Sequence, residues 1–139
     1  MEKLYCKEEI ISLLKSKEAA SIFNKYDIKN TITFGSINSD EFSEESDVDM
    51  AIIGNDKIKL ECILELEKYF ASLLNREIDV IDLRSDNLDL FMKIGILNNG
   101  KVIFTCDHNS SLEEFGEKLD RIYKENENFI YFRKKDVLS

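Results

Sequence analysis

The chain has 139 residues, 43% of them hydrophobic, an ordinary length with enough apolar material for one globular domain over residues 1–139. A formal net charge of −9 repels a phosphate backbone, and the one dense basic stretch, Arg133-Lys134-Lys135, is too short to reverse that, so nucleic acid is not the expected partner. With no run of about 18 apolar residues to span a membrane and no signal-peptide pattern at the N-terminus, a cytoplasmic protein is expected.

In chain order, Ile10, Leu14 and Ile22, with Ile11 and Leu13, form an apolar stripe that predicts one helix over residues 7–25. Residues 31–34 are β-prone and end at Gly35, and residues 48–53 read as a second strand. Gly54-Asn55-Asp56 is turn chemistry able to cap a following helix, whose apolar positions are Ile63, Leu66, Phe70 and Leu73. Residues 77–83 read as a strand, 88–97 as a helix stopped at Asn98-Asn99-Gly100, and 101–104 as a last short strand. Leu112, Phe115, Leu119 and Ile122 then recur at i, i+3, i+7 and i+10, the spacing of an amphipathic helix. The expected order is α-β-β-α-β-α-β-α. Phe129-Ile130-Tyr131-Phe132 after it could pack in the core or dock a partner.

Cys6, Cys62 and Cys106 are odd in number, far apart and without CxxC spacing, so neither a disulfide framework nor a zinc site is supported and a packing role is expected. The single histidine, His108, stands in Cys106-Asp107-His108-Asn109-Ser110, a loop or helix-cap context rather than a catalytic one.

Chemistry concentrates elsewhere. Gly35-Ser36 closes the first strand, and ten residues later Asp47-Val48-Asp49 opens the second. Side chains alternate along a strand, so Asp47 and Asp49 share a face. Two carboxylates about 5 Å apart repel by about 3 kcal/mol at an effective dielectric of 20, a cost that a hard divalent cation, Mg²⁺ above all, turns into attraction. Gly-Ser at a strand end permits close backbone approach and offers amide donors and a hydroxyl suited to phosphate oxygens. The plain alternative is a solvated loop leading into a strand. Against it stands Ile78-Asp79-Val80-Ile81-Asp82-Leu83, which sets carboxylates inside an apolar run where an unpaired charge is costly and a shared metal would supply a partner.

Taken together, Gly35-Ser36, Asp47-Val48-Asp49 and the later acidic strand resemble the DNA polymerase β-type nucleotidyltransferase superfamily, and within it the minimal nucleotidyltransferases that include MntA-type antitoxins. The segments 75–83 and 98–104 are similar to that subgroup's strand and helix-strand segments. The resemblance implies an α/β (α+β) fold with a small mixed β-sheet flanked by helices. It also implies Mg²⁺-dependent transfer of a nucleoside monophosphate, such as AMP from ATP, to a hydroxyl. Carried over, Gly35 and Ser36 bind the triphosphate, Asp47 and Asp49 hold metal, and Asp79, in preference to Asp82, is the third acidic residue that helps deprotonate the acceptor. The implied acceptor is a tyrosine of a cognate HEPN-type toxin. A catalytically weak relative that only binds its partner, and an antibiotic nucleotidyltransferase, are the alternatives. One departure stands out: the family commonly continues Gly-Ser with a small residue, an arginine and a glycine, where this chain has Asn38-Ser39-Asp40 and, beyond them, Glu41, Glu44 and Glu45. This acidic loop is expected to weaken triphosphate binding.

Overall fold

A computed structural model describes residues 5–125. Within them, four strands form one mixed sheet of order β3-β2-β1-β4. Strand β1 (Ile28–Phe34) runs antiparallel to both β2 (Val48–Gly54) and β4 (Lys101–Thr105), while β3 (Ile78–Asp82) lies parallel to β2. A parallel neighbour requires a crossover, which helix α3 (Leu60–Leu74) supplies. The sheet is the expected small mixed one.

Helices cover both faces. On one side α1 (Lys7–Leu14), α2 (Lys17–Lys25) and α3 press Ile10, Leu14, Phe23, Leu66 and Phe70 onto Val48, Met50 and Ile52. The rings of Phe23 and Phe70 stack there with centroids 5.4 Å apart. On the other side α4 (Leu90–Asn99) and α5 (Ser110–Glu125) bring Ile96, Phe115 and Leu119 against Ile32, Ala51 and Ile53. Strand β2 is thus buried on both faces, which is why its sequence reads as a near-continuous apolar run. Alternation then assigns Asp49 to the α4–α5 side, with Ala51 and Ile53.

Three local expectations are corrected. The helix foreseen over 7–25 is two helices, because Ser16 donates to Leu13 O (2.7 Å) at the end of α1 and accepts from the Ala19 amide (3.2 Å) at the start of α2. Strand β1 starts three residues earlier than its β-prone core, taking in Lys29 and a fully buried Asn30. Helix α3 is not capped by Gly54-Asn55-Asp56: its N-cap is Lys59, and the approach to it is held by the buried Asp82, whose Oδ2 accepts from the Ile58 amide at 2.8 Å. The cysteines are corrected too. Cys6 and Cys106 are exposed, so packing is not their role, while Cys62 is half-buried. The 129–132 run lies outside the described residues.

Candidate active site

Phe34, the last residue of β1, pairs with Asp49 near the start of β2. Between them the chain makes a 3₁₀ turn over Gly35–Asn38 and a loop over 39–47. Gly35 has φ +77°, and a Cβ added there would sit 2.5 Å from Asp49 Oδ2. Only glycine satisfies both conditions, since the left-handed conformation is strained for other residues and the space over Cα is taken by the carboxylate. The turn is fastened by Asn38, which occupies the position of the family's small residue: its Nδ2 donates to Thr33 O (2.7 Å) and its Oδ1 accepts from Thr33 Oγ1 (3.1 Å). Ser36 is half-buried, and its carbonyl accepts from both the Ser39 amide and the Ser39 hydroxyl, each at 2.9 Å.

On the other flank of β2, Asp49 pairs in register with Asp79 of β3, and Asp47 lies one residue before β2. The structure therefore gathers Asp47, Asp49, Asp79 and Gly35 at one end of the sheet. Burial, then the negative charge of Asp79, then that of Asp47, then a hydrogen bond with Asp79, push the Asp49 carboxyl up to about 6. Asp82, on the opposite face of β3, is a buried structural group: besides Ile58 it accepts from the Arg84 amide at 3.0 Å. Asp79 is exposed and open to a ligand.

This donor set fits a divalent cation brought in with nucleotide. Among the described residues no three His, Cys, Asp or Glu side chains form a ready-made metal cage. That suits Mg²⁺, which takes one or two carboxylates and completes its shell with water and substrate phosphates. The crowded negative charge around Asp49 is the feature a cation relieves.

Sequence reasoning gives no prominence to Arg76, yet this residue organises the loop between the two motifs. Its Nη1 donates to Ser43 O and Ser46 O, each at 2.8 Å, its Nη2 donates to Tyr5 O at 3.1 Å, and its guanidinium lies 4.5 Å from the centre of the Phe42 ring. Ser46 immediately precedes Asp47, so the clamp fixes where the first carboxylate emerges. Lys7 reaches the same loop, its Nζ donating to Ser39 O at 3.1 Å. Two cations from outside the loop are thus committed to its backbone, while Asp40, Glu41, Glu44 and Glu45 point into solvent. Arg76→Met is expected to lower stability by about 2 kcal/mol, since three carbonyls lose a charged donor. Arg76→Lys should recover less than half of that, because an ammonium lacks the planar fork. Urea unfolding midpoints of the three proteins measure this, and an Arg76→Met midpoint equal to wild type would remove the clamp from the account.

The exposed His108, with φ +53°, and the half-buried Asn109, with φ +66°, form the turn into α5, the loop context expected of that histidine. No helix among the described residues is long and apolar enough to cross a membrane.

Comparison with known proteins places this geometry. The family model described as "Polymerase beta, Nucleotidyltransferase" matches residues 17–109, more than half of the chain and the whole span from α2 to the turn before α5. Two Methanocaldococcus jannaschii proteins named "Putative protein adenylyltransferase", MJ0126 and MJ1217, are each 36% identical over 73 residues, which are 52% of this chain and 74% of theirs. Among solved structures, a crystal structure of a toxin–antitoxin with AMP-PNP contains a similar chain at TM-score 0.71 and 21% identity, covering 88% of this chain and 97% of that one. Another, a tri-AMPylated Shewanella oneidensis HEPN toxin in complex with MNT antitoxin, contains one at TM-score 0.67 and 18% identity, covering 96% and 100%. At such identities the likeness to the solved structures shows the fold, the nucleotidyltransferase α/β fold. The family match, which takes in both the Gly35-Ser36 turn and the acidic strands, shows that the chain belongs to the polymerase β nucleotidyltransferase family.

Proposed function

We propose that this nucleotidyltransferase moves AMP from ATP onto a tyrosine hydroxyl of a small helical HEPN-type toxin, and so acts as its antitoxin. The observation that carries the reading is the seating of Asp49 directly over Gly35 with Asp79 paired beside it. This arrangement sets a phosphate-accepting turn and a pair of carboxylates within one side chain's reach. The names of the M. jannaschii relatives, and the AMPylated HEPN toxin found with the MNT antitoxin, support the choice of adenylyl group and acceptor.

The chain's own residues divide the work. The Gly35-Ser36 turn holds the triphosphate. Asp47, Asp49 and Asp79 would hold Mg²⁺, which when bound supplies charge neutralisation at the phosphates and acidity at the acceptor oxygen. As the tyrosine oxygen bonds to the α-phosphorus, the bond to the bridging oxygen breaks and diphosphate leaves with the electron pair. The tyrosine proton passes to the exposed Asp79 carboxylate. No protein nucleophile is needed.

The experiment is incubation of the chain with ATP labelled at the α-phosphate, Mg²⁺ and a small helical HEPN-type protein, sought first in the neighbouring reading frames, with mass spectrometry to locate the label. Label on a tyrosine of the neighbour is expected. Asp79→Asn should slow transfer by about a hundredfold, the worth of a positioned proton acceptor. Asp82→Asn should keep transfer and lose about 1 kcal/mol of stability, since one of its two backbone contacts loses its charged acceptor. The reverse pattern would move the third carboxylate to Asp82.

A second reading is binding without transfer, favoured by the absence of the family's arginine and glycine at Ser39 and Asp40. A stable complex with the neighbour that never takes up label would select it.

A further inference from the structure

A second cavity lies at the end of the sheet opposite the carboxylates, where β1 begins and β2 ends. Its volume is about 590 Å³, and it is lined by Lys25, Lys29, Lys57 and Lys59 with Asp27 and Asp56. Asp49 and Gly54 stand five steps apart along β2, about 17 Å of strand, so the two sites are distinct. In a chain of net charge −9, four ammonium groups around one hollow are a local reversal of sign. With Asp27 and Asp56 counted, the lining keeps an excess of two positive charges. Lys57 is paired with Asp86 and Lys25 lies 5.3 Å from the centre of the Tyr26 ring, but among the described residues Lys29 and Lys59 form no ion pair with either lining aspartate. A concave wall of like charge focuses the field and attracts counter-ions.

The geometry points to a binding site for a di- or triphosphate anion, separate from the proposed catalytic site. Lysines bind phosphate as point charges, and an anion of several negative charges is the one that gains most from four of them around one hollow. The volume falls within the range of small-ligand pockets, roughly 300–1,000 Å³. Helix α3 begins at the rim, and its N-cap, Lys59, supplies no capping side chain. Free diphosphate and the phosphate tail of a nucleotide share the required chemistry.

The test is calorimetric titration of the full chain in EDTA with inorganic diphosphate, and in a parallel arm with metal-free ATP. Wild type and Asp49→Asn are expected to bind diphosphate equally. The double variant Lys29→Gln/Lys59→Gln should bind at least tenfold more weakly while keeping its thermal midpoint, and Lys57→Gln, already paired with Asp86, should lose less than threefold. Equal affinities for the two anions identify a site that reads phosphate groups alone; ATP binding tenfold tighter identifies a nucleotide site. Unchanged affinity in the double variant, loss of binding in Asp49→Asn, or no binding at millimolar diphosphate overturns the proposal. Because nothing in the test depends on transfer, its failure leaves the proposed catalytic function untouched.

Discussion

Gly35→Ala is expected to reduce nucleotidyl transfer on the order of a thousandfold while leaving the fold intact. Two effects combine. The backbone at Gly35 has φ +77°, which costs an alanine about 1–2 kcal/mol, so the turn relaxes toward negative φ and the amides proposed to hold the phosphates rotate away. The new methyl group would also sit 2.5 Å from Asp49 Oδ2, too close for any real contact, so the carboxylate must swing aside while its backbone stays held between β1 and β3. Displacement of the carboxylate proposed to hold metal by about 1 Å is enough to cost a hundredfold, and disturbance of the proposed phosphate turn adds to it. Gly95→Ala is the matched control. A Cβ at Gly95 meets nothing within 4 Å, so alanine in α4 should raise stability by about 0.5–1 kcal/mol and leave transfer unchanged. The measurements are initial rates of label transfer and thermal unfolding of all three proteins. Full transfer by Gly35→Ala would mean that Asp49 and the turn do not work as one unit.

The parts of this site visible in the sequence are those written in local periodicity. A strand that ends in Gly-Ser and a strand that opens with Asp-Val-Asp are local patterns, and alternation puts Asp47 and Asp49 on one face; the choice of Asp79 over Asp82 in the later acidic strand comes from the resemblance to the family, not from periodicity. What stayed hidden depends on long-range contacts. Asn30 reads against a strand by propensity, yet it lies fully buried in β1 because both neighbouring strands enclose it. The break between α1 and α2 needed no Gly or Pro; one serine, bonding backward to Leu13 and accepting from Ala19 ahead, ended one helix and started the next. Arg76 and Asp82 act across about 30 and 24 residues of chain to fix loops they do not belong to. No local pattern announces either, although an arginine next to a β-strand whose carboxylates need placing is a signal that could be weighed. The acidic loop is half legible for the same reason: its charges stand in the sequence, while the Lys7 and Arg76 contacts that hold its backbone do not.

Asp49→Asn is expected to make the metal-free protein more stable and the enzyme inactive at once. Burial and the charges of Asp79 and Asp47 raise the Asp49 carboxyl from its ordinary value near 3.8 to about 6. Between those two values the folded chain holds a proton that the unfolded chain has released, so the stability of the wild type falls as pH rises through the window from about 4 to 6. Below it both states are protonated and no penalty exists; above it the penalty is complete. Asparagine cannot ionise, so its advantage should be absent near pH 3.5 and full at pH 7.5. The carboxyl is partly solvated, so the linkage is discounted to about 1 kcal/mol, or about 4 °C in Tm for a domain of this size. In contrast, transfer should fall on the order of a thousandfold, because the charge that destabilises the empty site is the one that a cation and phosphates require. Adding Mg²⁺ and ATP should raise the wild-type Tm by clearly more than that of Asp49→Asn, the difference reporting binding at the catalytic site. Thermal unfolding at pH 3.5 and 7.5 in EDTA, repeated at pH 7.5 with Mg²⁺ and ATP, measures all of this. A variant less stable than wild type at pH 7.5 without metal would show that Asp49 is held in place by favourable contacts, and equal stabilisation of both proteins by Mg²⁺ and ATP would place nucleotide binding elsewhere.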